Sequence, residues 1–312
     1  MKKIFYFIVF ILCVSCSSDD TDQDRGAGIG KPVEPTNPSQ TITYTSSNGY
    51  IVQPTNTADF DANLISNTYE DGQGKMVFDG PITTIGYRAF ELCMTLTSIT
   101  LPNTTRTIGS NAFIQCPYLT KISIPDKVTS IGQGAFSYCS SLTSITIPDK
   151  VTSIESNTFK GCNSLTSITI PDKVTSIGLG AFSDCNGLQT IIMGKGIKAI
   201  GEYMFSGLKN LRSITIGPNV ESIGVSAFSG CTNLSSITIP ENITSIQTMA
   251  FYNCNSLVKV YSKALIPPAL QRGAFYISTQ FPKYLSVPVG SKAAYQQAEE
   301  WRDFSTIEEE VF

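Results

Sequence analysis

Residues 142–162 read LTSITIPDKVTSIESNTFKGC. In the opening six, Ile145 and Ile147 alternate with Ser144 and Thr146, the period-two pattern of a strand with one apolar face. Pro148 has no amide to donate and ends that strand. Asp149 and Lys150 turn the chain, and Val151 and Ile154 bring a second short extended piece back to the same interior. Phe159 and Cys162 fill what remains before Leu165 opens the next strand. One such loop has too little core to fold alone and must be stacked on others.

The neighbours are present. Phe stands at 90, 113, 136, 159, 182, 205, 228 and 251, always 23 residues apart, and at 275 after 24. Leu holds 96, 119, 142, 165, 188, 211, 234 and 257 in the same register, and Ile holds 85, 108, 131, 154, 177, 200, 223 and 246. A period of 20–29 residues with several apolar columns is the signature of a leucine-rich-repeat solenoid. The expected fold is mainly β, with short strands on the concave face, an N-terminal cap and a small C-terminal α/β cap. A chain of 312 residues suggests two domains by length alone, but stacking makes it one elongated domain. Residues 142–154 recur unchanged at 165–177, exposed positions included, which points to recent duplication of units.

The repeat resembles the BspA-like family of bacterial leucine-rich repeats over about residues 76–276. The family's Ile-Gly, Ala-Phe, Cys, Leu and Ile-x-Ile-Pro appear as Ile131-Gly132, Ala135-Phe136, Cys139, Leu142 and Ile145-Thr146-Ile147-Pro148. Departures are local: Leu208 replaces the Cys, Gly194 and Gly217 the Pro, and Glu155 and Gln247 the Gly. The resemblance implies a surface or secreted protein that binds extracellular proteins.

Composition excludes much chemistry. There is no His, which removes Ser-His-Asp, Cys-His and His-ligated zinc schemes together. A formal charge of −3 with only 15% charged residues argues against nucleic acid. Of nine Cys, seven fall in one column: Cys93, Cys116, Cys139, Cys162, Cys185, Cys231 and Cys254. A redox relay or soft-metal ladder would not tolerate Leu208 in that column, so the cysteines read as small buried rungs with free thiols. Asp59, Asp61, Glu70, Asp71 and Asp79 match no spaced calcium loop and read as solvated turn residues. No catalytic residue, cofactor or metal is expected, and the chain reads as a binder rather than an enzyme.

The ends carry the address and the covers. Lys2 and Lys3 followed by the apolar run 4–14 read as a signal peptide, residues 1–15, too short to span a bilayer. The Ser15-Cys16 junction before Ser-Ser-Asp-Asp resembles a lipobox, which makes Cys16 the lipidated residue of an outer-membrane, surface-exposed lipoprotein; plain secretion is the alternative. Residues 16–40, with Pro32, Pro35 and Pro38, form a tether, residues 41–80 the N-terminal cap, 81–276 the solenoid and 277–312 the C-terminal cap. In the last, 285–290 reads as the final strand and turn. Ser291 reads as the N-cap of a helix with Ala294, Tyr295 and Ala298, with Trp301, Phe304 and Ile307 beyond it, and Trp301 and Tyr295 read as a hydrophobic lid rather than a sugar-stacking pair.

Two outward columns of the strands are Ser and Thr almost throughout, a wet face without charge. Its exceptions, Arg212, Lys259 and Tyr261, gather toward the C-terminal end and are the candidate ligand contacts. The expected partner is an extracellular protein of a host or neighbouring cell. A glycan captured for nutrient uptake, or no ligand in a passive coat or stalk, are the alternatives.

Overall fold

The computed structural model describes residues 37–276 and 283–312. The signal segment, Cys16 and nearly all of the tether lie outside the described residues. Among those residues no helix is long and apolar enough to cross a membrane.

The body is a coil of chain in which most turns present three ladders to their neighbours. The first is the strand ladder, parallel and in register with the 23-residue period. Ser167–Ile170 pairs with Thr190–Met193, which pairs with Ser213–Thr215. Ser236–Ile239 pairs with Lys259–Ser262, followed by Tyr284–Pro288. The second is built from two-residue pieces such as Thr84–Ile85, Thr107–Ile108 and Ser130–Ile131. The inward Ile and Leu of both ladders are nearly all buried.

The third ladder has no strand in it. In each Phe turn from Phe90 to Phe251 the residues two before and two after the Phe take positive φ, as at Asn157 (57°) and Gly161 (71°). That alternation aims every second N–H along the solenoid axis. Asn157, Phe159 and Gly161 donate to the carbonyls of Leu179, Ala181 and Ser183, at 3.1, 2.9 and 2.8 Å. The Phe rings stack inside this ladder, with centroids 5.1 Å apart for Phe90–Phe113 and 4.9 Å for Phe251–Phe275. A bulky residue forced to positive φ is strained, so the hydrogen bonds gained across the junction must offset that strain at Leu92 and Tyr138.

Both ends supply substitutes for a missing neighbour. At the N-terminal end β1 (Thr41–Ser46), β2 (Leu64–Glu70) and β3 (Gln73–Phe78) form an antiparallel sheet. Its β1 pairs antiparallel with the first solenoid strand, Leu96–Thr100. Thr55 and Asn56 donate to the open carbonyl of Ala89. Asp61 accepts from the amides of Thr83 and Thr84 and from the Thr83 hydroxyl. Asp79 accepts from Asn63 through backbone and side chain, and these bonds hold its carboxyl below the usual range. Asp61 and Asp79 stay exposed, as the spacing suggested, and also cap these amides.

At the C-terminal end Trp301 is fully buried beside Phe275, at 5.6 Å, and donates its indole N–H to Pro268. Glu300 takes the amide of Gly273, a donor that a further turn would have satisfied, and shares the amide of Ala274 with Gln271 of its own turn. Tyr295 donates to the Ala264 carbonyl and pairs with Ser262, and burial pushes its phenol up to about 12. Two expectations need correction. The helix α1 (Lys292–Gln297) follows Ser291, but that hydroxyl makes no capping bond and donates instead to Pro288, three residues back. Residues 285–290 are not the last strand: Thr306–Glu310 adds another in parallel, because Ile307 places an apolar side chain beside Leu285.

Candidate functional site

The outward columns of the strand ladder are laid side by side by the register, so chemistry concentrates wherever Ser and Thr give way to other residues. Lys259, Tyr261 and Lys263 follow one another at alternate positions of the last complete turn and therefore share one face. The Lys259 ammonium lies 4.5 Å from the centroid of the Tyr261 ring and 4.0 Å from a Glu310 carboxylate oxygen. The Tyr261 ring meets Phe312 edge-on at 6.5 Å, and the Lys263 ammonium lies 5.7 Å from the Phe312 centroid. Each exposed cation–aromatic contact contributes only about 0.5–1 kcal/mol. The ion pair is half-exposed and screened. The cluster is a preformed surface rather than a stability element.

Beside it lies a groove of about 800 Å³. Its floor is apolar, with Ile214, Ile216, Pro218, Pro240 and Pro288, and Thr215 and Thr238 offer hydroxyls. Glu241, Lys263, Glu310 and Phe312 stand on its rim. Pro218 and Pro240 carry no amide and offer no backbone donor at their places in the lining. An apolar channel with alternating hydroxyls and a rim of both charges suits an extended polymer with side groups of mixed character. It holds no nucleophile paired with a base.

Of the three contacts read from the sequence, Lys259 and Tyr261 are brought together and Arg212 is not. Arg212 precedes the strand Ser213–Thr215 and is exposed two turns away. Lys263 was missed although the same alternation points to it. Glu310 and Phe312 come from the strand after the lid, which nothing local announces.

The seven ladder cysteines are free and buried. All seven thiols also have an acceptor: Cys93 donates to the Gln53 carbonyl at 3.5 Å, and the other six to the carbonyl of the Phe in the preceding turn, as Cys162 to Phe136 at 3.2 Å, Cys185 to Phe159 at 2.9 Å and Cys254 to Phe228 at 3.1 Å. Burial pushes Cys139 and Cys185 up to about 12, far from a reactive thiolate at neutral pH. Among the described residues no three Cys, Asp or Glu side chains come together as a metal cage.

A family model described as the BspA type leucine rich repeat region matches residues 69–185 and 152–280, in 6 copies. A leucine-rich repeat protein of T. pallidum is 35% identical over 50% of this chain and 73% of its own, with a TM-score of 0.47. One from Bacteroides ovatus is 21% identical over 82% of this chain and 99% of its own, at 0.37. A leucine rich cell surface protein of Faecalibacterium prausnitzii is 25% identical over 74% and 77%, at 0.30. No curated protein matches significantly.

Proposed function

The chain belongs to the BspA-type leucine-rich-repeat family, and on that premise we propose that it is a lipid-anchored, surface-displayed module that binds an extracellular protein. The observation that carries the reading is the groove of about 800 Å³ flanked by Lys259, Tyr261 and Lys263. An extended polypeptide supplies the mixed apolar, hydroxyl and charged groups that such a channel complements. Recognition energy is expected to concentrate on Tyr261 and Lys259, because aromatic and cationic side chains dominate interface energetics. Cys16 provides the anchor.

Residues 17–312, immobilised and exposed to panels of matrix proteins and polysaccharides, test this. A protein ligand is expected, with binding weakened at least about tenfold by Lys259→Ala/Tyr261→Ala and little changed by Arg212→Ala. Binding to polysaccharides alone would replace the reading with glycan capture, and silence on both panels with a passive coat. Display is tested by protease shaving of intact cells and by metabolic acyl labelling, which Cys16→Ser should abolish.

A further inference from the structure

One junction in the middle of the solenoid lacks what both ends have been given. Between the turn holding Phe182 and the turn holding Phe205, the Phe-turn ladder is absent. The amides of Gly180, Phe182 and Asp184 have no partner across it, whereas all seven other junctions between successive Phe turns carry such bonds. The Phe182 carbonyl also loses its thiol donor, because Leu208 occupies the cysteine position. The two rings are the widest and most tilted of the series, 6.0 Å apart at 30°.

The short-strand ladder breaks at the same place: Ser176–Ile177 pairs only backward with Ser153–Ile154, and Ala199–Ile200 only forward with Ser222–Ile223. Space confirms the gap. A Cβ built on Gly132, Gly178 or Gly224 would meet backbone of the preceding turn at 2.5, 2.4 and 2.8 Å. On Gly201 it would meet a single atom within 4 Å, the Met204 Cε at 3.4 Å. Met204 stands where the other turns have Ala or Thr, and its extra atoms lie half-buried at the point where the two backbones would otherwise close. Ile177 is half-exposed here, whereas Ile154 and Ile200 in its column are buried.

The strand ladder alone crosses intact, with Ser167–Ile170, Thr190–Met193 and Ser213–Thr215 in register. A second weak place, between Ser130–Ile131 and Ser153–Ile154, keeps all three bonds of its Phe turn and has rings only 5° from parallel.

We propose that this junction is a hinge: the turns before residue 184 and those after residue 199 tilt as two blocks about the strand ladder at Thr190–Met193. Ile177 and Met204 are alternately covered and uncovered as the gap closes and opens. The block that moves on the C-terminal side carries Lys259 and Tyr261, so the hinge sets the angle between that cluster and the serine–threonine face of the first turns. It requires no ligand.

Hydrogen exchange and single-molecule FRET on residues 17–312, which leave out Cys13 and Cys16, test it together. Dyes on Lys150→Cys and Glu221→Cys span the junction, and the ladder thiols stay unlabelled under native conditions because they are buried. Amides 178–184 are expected to exchange about 100-fold faster than 155–161, with 190–193 slow. The FRET distribution is expected to be broad and to narrow when Met204→Ala/Leu208→Cys restores the small residue and the thiol. Equal exchange in 178–184 and 155–161 would overturn the proposal. So would exchange at 190–193 as fast as at 178–184, which means wholesale opening, or a FRET width unchanged in a repaired variant with native circular dichroism. Should that variant not fold, the wild-type exchange pattern decides alone.

Discussion

Raising the pH should unfold this solenoid through its own thiols. Burial pushes Cys139 and Cys185 from an ordinary 9.0 up to about 12, and Cys162 well above 9.0. A thiol with a raised value in the folded state keeps its proton there and loses it in the unfolded chain. The folded state therefore binds more protons, and stability falls as pH rises, beginning at the ordinary thiol value and ending near 12. At about pH 10 an exposed thiol is roughly nine-tenths ionised, which favours the unfolded state by about 1.4 kcal/mol for each cysteine. Three thiols amount to about 4 kcal/mol, a large part of a typical stability of about 5–15 kcal/mol. Cys116 and Cys231 shift in the same direction. Tyr295 begins to contribute only above its own ordinary value of 10.0, which leaves the lower window to the cysteines. Urea unfolding of residues 17–312 under reductant, followed by circular dichroism between about pH 8 and pH 10, measures the effect. The variant Cys139→Ala/Cys162→Ala/Cys185→Ala should start less stable but lose about 4 kcal/mol less across that window. A variant whose stability falls in parallel with the wild type would refute the assignment of this pH dependence to the ladder.

Two further outcomes concern single atoms. Gly132→Ala should destabilise by about 1–3 kcal/mol, because the new methyl meets Ser110 N at 2.5 Å, whereas Gly201→Ala at the same repeat position should stay within about 0.5 kcal/mol; equal urea midpoints for the two would contradict the gap described above. Thr105 is fully buried in a column otherwise held by Val and Ile, and its hydroxyl has no partner. Thr105→Val should therefore raise stability by about 1 kcal/mol, seen as a higher thermal midpoint.

The columns were legible because every turn meets nearly the same neighbour. Phe159 and Ile154 sit where Phe136 and Ile131 sit, and 23-residue spacing records that directly. The third ladder was not legible, since its positive-φ positions hold residues as unlike as Arg88, Leu92, Tyr138 and Asn157. What matters there is an N–H direction, which leaves little trace in side-chain type. The caps were legible as apolar covers but not as chemistry: Asp61 and Glu300 act through amides 22 to 27 residues away. In the candidate site, strand alternation exposed Lys259 and Tyr261, while Glu310 is about fifty residues further along and enters only because Thr306–Glu310 pairs onto the sheet.

The duplicated segments separate local from neighbouring causes. Residues 142–154 and 165–177 are identical, yet Ser167–Ile170 forms ladder strands and residues 144–147 do not. Ile145 is 9% exposed where Ile168 is 2%, and Ile154 is buried where Ile177 is half-exposed. Nothing within either segment explains these differences, because nothing within them differs. What differs is the turn stacked on each: the first copy is covered by the second, and the second by residues 188–200 and the Met204 turn. Stability in such a stack belongs to junctions more than to units. A duplication therefore copies a sequence without copying its environment, and it places an unchanged Ile177 against a new partner. Met204 and Leu208, two substitutions in the following turn, are then sufficient to loosen a repeat whose own residues are unaltered. Variation at two positions can make a uniform array bend at one place, with Lys259 and Tyr261 on the moving side.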